Sequence, residues 1–268
     1  MKRTIYYLIL LLFSGIAGCA PPVYRLTPET GEVAYVEGRP TTKVEQNGLK
    51  IVASYERLDL NFVALDVELK NLSDTPLEVN PANFRYAALQ ANQLDTLETL
   101  TNPVRKQLFS AADPMAEADK VNARQNQEVK RLKTARIINT VLMVAVVASD
   151  IASSTSSRNR REPARWVQNR VTHENLYTAL QAKRMIDHGM FADRMQRYDY
   201  EAYRWNELAL KRTTLQPGES ARGQVFLPLS RDASYLLLSY PVSEAQPVNI
   251  RFRQEWVKRE RPKRTRNR

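Results

Sequence analysis

The sequence predicts an α+β chain, a β-sandwich interrupted by an inserted α-helical hairpin, on three observations. Val63, Leu65, Val67 and Leu69 alternate with Ala64, Asp66, Glu68 and Lys70, the period-two pattern of a half-buried strand. Near the other end Val248, Ile250 and Phe252 alternate with Asn249, Arg251 and Arg253 in the same way. Between these β-prone regions lies a stretch, roughly residues 103–206, in which helix formers dominate. With 268 residues, 43% of them hydrophobic, the chain can bury one large domain, or one domain with an insertion.

Residues 1–18 stand outside that fold. Lys2 and Arg3 precede the apolar run Ile5 to Phe13, and small residues at Ser14, Gly15, Ala17 and Gly18 lead to Cys19. This is the plan of a secretory signal: a positive end, a short apolar core and a small-residue cleavage site. The core falls short of the roughly 20 residues a helix needs to span a bilayer, so a cleaved signal is predicted rather than a permanent membrane helix. Ile16-Ala17-Gly18-Cys19 resembles the lipobox of bacterial lipoproteins, in which a branched apolar residue and two small ones precede an obligatory cysteine. The resemblance implies that Ile16, Ala17 and Gly18 are read by the signal peptidase. It also implies that Cys19 becomes the first mature residue, its thiol alkylated with diacylglycerol and its amine acylated, palmitate being a typical chain. A thiolate is a strong nucleophile, which explains cysteine at that position. Two or three acyl chains, at about 0.8 kcal/mol per buried methylene, hold a protein on a membrane where one would not. Ala20, where that family often has aspartate for inner-membrane retention, points to the outer membrane facing the periplasm rather than to the inner membrane or the cell surface. Cys19 is the sole cysteine, so no disulfide framework is available.

Residues 19–46 are rich in Pro, Thr, Gly and Glu and are read as the lipidated N-terminus and a tether. Residues 47–102 form the first part of the sandwich, with Val63 to Leu69 as a strand, Asn71 to Pro76 as turn chemistry, and Leu77 to Val79 and Phe84 to Leu89 as further short strands. The helical-hairpin insertion, 103–206, opens with Asp113 as a cap and Pro114 in the first helical turn. After a polar stretch comes "IINTVLMVAVVASDIA", residues 137–152. Its run is too short for a confident span, Asp150 spoils the extension, and basic residues flank both ends. Three roles stay open for it: a helix buried against its own domain or a second helix, a self-association surface, or insertion into lipid. A second helix is predicted from about His173 to Met195, joined to the first through a Ser- and Arg-rich connection around Arg158, Arg160 and Arg161 that reads as solvated. The aromatic cluster Tyr198, Tyr200, Tyr203 and Trp205 fits packing of the hairpin onto the sandwich, or else a sugar- or peptide-binding surface.

The second part of the sandwich, 207–254, places Pro217-Gly218 as a turn before the strand Gln224 to Leu227, followed by Tyr235 to Tyr240 and the alternating 248–253 segment. "LDVELKNLSDTPLEVNPANF" and "TTLQPGESARGQVFLPL" resemble paired signatures of immunoglobulin-like domains in exported bacterial lipoproteins, most without an assigned function. The resemblance implies an immunoglobulin-like β-sandwich and is silent about activity; the helical insertion departs from that family.

Residues 255–268 are a basic tail. The net charge of +11 divides into +2 on the signal, +7 on residues 251–268 and +2 on residues 19–250, so the body is nearly neutral. Lys258, Arg259, Arg261, Lys263, Arg264, Arg266 and Arg268 are candidates to contact an anionic surface, either lipid head groups or cell-wall polymer. Nucleic acid is excluded as a partner by the export signal.

Catalytic chemistry finds little footing. The two histidines, His173 and His188, sit in no metal-ligand pattern, and a thiolate zinc site would need more than one cysteine. The eight glycines include no phosphate loop, and no serine occupies a nucleophile elbow. Asp187 and Asp193 are the one carboxylate pair considered, with nothing to single them out. The expectation is therefore a non-enzyme without cofactor or metal: a lipid-anchored envelope protein acting as a binding or structural module, held to the membrane through Cys19 and meeting an envelope protein partner or its own kind. The alternative is a component of an envelope assembly or transport complex that self-associates or contacts lipid through residues 137–152, with a cell-wall hydrolase last.

Overall fold

Strand formation follows the alternation in the sequence. In the computed structural model, which describes residues 22–91, 108–155, 163–242 and 247–257, the strand Phe62–Asn71 points Val63, Leu65, Val67 and Leu69 into the core. In chain order the strands are β1 (Val23–Pro28), β2 (Glu32–Val36), β3 (Arg39–Gln46), β4 (Leu49–Asp59), β5 (Phe62–Asn71), β6 (Leu77–Val79), β7 (Arg85–Leu89) and β8 (Leu108–Ser110). After two helices, α1 (Pro114–Thr155) and α2 (Pro163–Tyr203), come β9 (Thr213–Leu215), β10 (Ser220–Pro228), β11 (Tyr235–Pro241) and β12 (Pro247–Val257). Two compact units result: Asp113–Ala209, and the residues on either side of it.

The β unit consists of two antiparallel five-stranded sheets, ordered β1-β12-β11-β7-β8 and β10-β5-β4-β3-β2, with β6 and β9 as a separate pair. One apolar cluster joins them: Ile51, Leu65, Val67, Leu69 and Leu227 from one sheet meet Leu26, Tyr86, Leu236, Leu238, Ile250 and Phe252 from the other. This is two-layer packing, in which each sheet buries the face that its alternating residues make apolar. The fold is thus α+β, with antiparallel sheets interrupted by a helical insertion.

The two sequence motifs meet at Asn71, which is fully buried. Its Nδ2 donates to the carbonyls of Thr75 at 2.7 Å and Leu215 at 3.1 Å, and its Oδ1 accepts from Ser73 N at 2.9 Å and Ser73 Oγ at 2.7 Å. The backbone joins in, since Gly218 N donates to Asn71 O at 2.8 Å and Asn71 N to Glu219 O at 2.9 Å. Gly218 takes φ +84, the left-handed conformation that a Pro-Gly turn requires at that position. One buried amide therefore ties the end of β5 to the turn that launches β10, and β6 to β9.

Several boundaries differ from those predicted. Residues 23–46 are not tether but three strands. Tyr24 and Leu26 on β1 are core residues, β1 pairs with β12 from Val23↔Val257 to Pro28↔Phe252, and Tyr24 Oη donates to Gln254 Oε1 at 3.0 Å. The composition concealed this because all of β2 is exposed and β3 buries only Thr42. β8 also belongs to a sheet, with Phe109 stacked on Tyr86 at 5.2 Å, so the insertion begins at Asp113 rather than near 103. A three-residue strand carries no readable periodicity. At the far end β12 runs to Val257, shortening the tail by three residues.

The helical unit begins as predicted: Asp113 Oδ1 accepts from Met115 N at 3.0 Å, capping α1. At 1.5 Å per residue α1 and α2, of 42 and 41 residues, are each about 60 Å long. The second helix extends well beyond His173–Met195 at both ends and closes in a π-turn, Arg204–Leu208, where Ala209 N donates to Arg204 O at 3.0 Å. The Arg204 guanidinium lies 4.4 Å from the centroid of the Trp205 ring.

Candidate functional site

The helical hairpin is built around a polar seam. Six contacts run along it in antiparallel register: Arg124 to Glu201 at 3.4 Å, Gln125 to Asp199 at 3.0 Å, Arg194 to Glu128 at 3.6 Å, Asn139 to Asp187 at 3.2 Å, and His173 to Asp150 and Ser149 at 3.1 and 3.2 Å. The stripe of α1 turned toward α2 is Leu132, Ala135, Asn139, Met143, Val146 and Asp150, the three- and four-residue steps that keep one helix face in register with its neighbour. On α2 the matching positions His173, Leu180, Asp187, Arg194 and Glu201 recur every seven residues, the spacing of a coiled-coil seam. Asn139 is 3% exposed, and its Oδ1 has no hydrogen-bond partner while its Nδ2 donates to Asp187. The Lys183 ammonium, 2.6 Å from Asp187, holds that carboxyl below its usual range.

The apolar residues of α1 point elsewhere. Ile137, Ile138, Val141, Leu142, Val144, Val147 and Ile151 are all exposed, Val144 at 63%. At 100° per residue they cover roughly 220° of the helix circumference, centred opposite the seam. An 18-residue window of this helix has a mean hydropathy of 1.7 with only 6% of it buried, and by length and composition the helix could cross a membrane. Burial against a second helix, the first of the three roles open for residues 137–152, therefore accounts for Asn139, Met143, Val146 and Asp150 but not for the rest. Exposed apolar residues on α2 (Val171, Met185, Ile186 and Met190 among them) share the side opposite the seam with exposed Asn175, Asp193 and Arg197, so they form no continuous apolar arc.

Other candidates resolve differently. Cys19 with Ile16, Ala17 and Gly18, and the tail cations Lys258 to Arg268, lie outside the described residues. Asp187 and Asp193 fall on different faces of α2, and Asp193 pairs with Arg197 at 2.9 Å instead. Among the described residues no group of three or more His, Cys, Asp or Glu is placed to hold a metal. In the aromatic cluster Trp205 is buried, whereas Tyr200 and Tyr203 are exposed. On the sandwich a concavity of about 160 Å³ is lined by Arg39, Ser54, Asp66, Glu68 and Arg222. Both of its arginines are already paired: Arg222 grips Asp66 with two hydrogen bonds of 3.1 and 2.6 Å, and Arg39 meets Glu37 and Glu56. Among the described residues the concavity therefore offers a ligand no unpaired cation.

The feature that distinguishes this surface is an inside-out hairpin, polar along the seam and apolar on one outward arc. The sequence held the signal in the seven-residue recurrence of His173, Asp187, Arg194 and Glu201, which periodicity of apolar residues alone passes over. No known protein family, curated protein or solved structure matches the chain.

Proposed function

We propose that this chain is a lipid-anchored protein of the bacterial cell envelope, a non-enzymatic binding or structural module whose helical hairpin is the contact element. One observation carries the reading: α1 presents a broad apolar arc that no described residue of its own unit covers. Soluble proteins seldom leave so large a contiguous apolar surface in water, and where they do it is a contact site. The anchor is proposed at Cys19, on the lipobox resemblance of Ile16-Ala17-Gly18-Cys19, with the outer membrane facing the periplasm as its location. The sandwich is proposed to be immunoglobulin-like, supported by the meeting of the two signature motifs at Asn71. The tail residues Lys258 to Arg268 are proposed to add attraction to anionic lipid or cell-wall polymer. The arc equally supports the wider role of a component in an envelope assembly or transport complex.

Two measurements test this. Intact mass of the protein from cells should show a chain starting at Cys19 with diacylglycerol and acyl additions; a free thiol there removes the anchor. A photo-crosslinking residue placed at Val144 should capture lipid or protein in intact cells; capture of neither removes the contact role.

A further inference from the structure

We propose that the apolar arc of α1 docks on an anionic lipid surface, the hairpin lying along the bilayer rather than crossing it. This rests on the arc being the contact surface and adds what it contacts. From Val129 to Ser149 the helix contains no aspartate or glutamate, yet it carries Lys130, Arg131, Lys133 and Arg136. Lys130, Lys133, Ile137, Val141, Val144, Ala148 and Ile151 follow one another at three- and four-residue steps, so exposed lysines continue the apolar arc along the same face. Arg131 is paired with Glu128 at 2.8 Å, whereas Lys130, Lys133 and Arg136 hold no ion pair among the described residues. Cations in line with an apolar stripe are the pattern of a helix that sits at the head-group boundary, with its apolar side chains in the acyl region and its lysines among the phosphates.

Crossing the bilayer is disfavoured by the second helix. α2 runs beside the apolar segment and exposes Glu174, Lys183 and Arg184, charges that hydrocarbon would strip of water. Lying flat avoids that cost, because the arc is centred opposite the seam and α2 stays on the watery side. A second copy is disfavoured by charge. Parallel pairing of two arcs sets Lys130, Lys133 and Arg136 against themselves, and antiparallel pairing offers them no carboxylate, since none lies on the arc. Anionic lipid supplies the missing negative charge in either orientation.

The test uses a chain spanning residues 20–257, which keeps every described residue and omits both the lipid and the basic tail. Its binding is titrated by co-sedimentation with vesicles of phosphatidylcholine and of equimolar phosphatidylcholine and phosphatidylglycerol, and its association without lipid is read by sedimentation velocity. Expected is binding to the anionic vesicles about tenfold or more tighter than to the neutral ones, weakening with salt. Val141→Ser with Val144→Ser should lower that binding about tenfold or more with helix content unchanged by circular dichroism, and Lys130→Gln with Lys133→Gln should abolish most of the anionic preference. Equal binding to both vesicles, or unchanged binding by the folded valine variant, overturns the proposal. Self-association that anionic vesicles do not compete away places a second copy on the arc. That result overturns lipid docking while leaving the arc as the contact surface, whereas failure to crosslink at Val144 in cells removes both.

Discussion

Truncation of Asn71 to alanine removes an amide whose four hydrogen bonds are divided unequally between buried and wet partners. The Leu215 carbonyl is the costly one, because Leu215 is in the core and its oxygen would lose a donor that water cannot readily replace. An unsatisfied buried acceptor costs about 1–3 kcal/mol. Thr75 is exposed and Ser73 half-exposed, so water replaces much of what they lose, at about 0.5 kcal/mol each. The sum is about 3 kcal/mol, which for a β unit of this size lowers the melting temperature by roughly 6–12 °C. Asn71→Asp is the sharper variant. It keeps the acceptor toward Ser73 but turns a second oxygen toward two carbonyls, so the folded state favours the protonated acid and its pKa rises above the unfolded value. Because the folded variant then binds the extra proton, its stability falls as pH rises through that interval. Relative to wild type at each pH, the deficit of Asn71→Asp should be larger at pH 7.5 than at pH 4.5. Thermal unfolding followed in the near ultraviolet reads both effects. A loss below about 0.5 kcal/mol for the alanine variant, or an aspartate deficit independent of pH, would refute the account of Asn71 as the joint between the two motifs.

Burial raises the phenol pKa of Tyr24, Tyr55 and Tyr240, and pushes that of Tyr86 up to about 12. Folded values above unfolded ones mean that this contribution is whole below pH 10 and is lost as pH rises toward 12, so phenolate absorbance from these rings should appear together with unfolding in an alkaline titration. Gly223→Ala should destabilise the sandwich, since a Cβ there would come within 2.5 Å of Leu210 Cα and displace the backbone that donates to Gln224 O at 2.9 Å; denaturant midpoints check it. Arg222→Ala should change stability by no more than about 0.5 kcal/mol in the same assay, because its bond to Asp66 is exposed. Asn139→Leu should raise the melting temperature of the helical signal, since it replaces a buried amide with an unpartnered oxygen and leaves Asp187 its bond to Lys183.

The sequence made β5 and β12 legible because Val63 to Leu69 and Val248 to Phe252 lie on strands paired on both sides, where alternation survives intact. It also revealed the start of α1, since an Asp-Pro pair acts locally and needs no tertiary partner. β1 was hidden by its brevity of pattern: Tyr24 and Leu26 are its only two residues in the apolar core, and their meaning depends on β12, more than 200 residues away in the chain. The contact surface was half legible. Residues 137–152 stood out as apolar, but which of them face outward is set by Asn139 and Asp150 claiming the seam, and that requires Asp187 and His173 on the other helix.

The pairing of Val23 with Val257 sets a leash. Opposed residues in an antiparallel ladder lie about 5 Å apart, so Val23 and Val257 stand side by side at the same end of the sheet. Only four residue steps separate Cys19 from Val23, a contour of roughly 14 Å at most. With the lipid we propose on Cys19, the sandwich hugs the bilayer instead of floating above it, and the tail begins its course at the membrane surface. A partner standing farther off must come to this protein, since the protein has no slack with which to reach it.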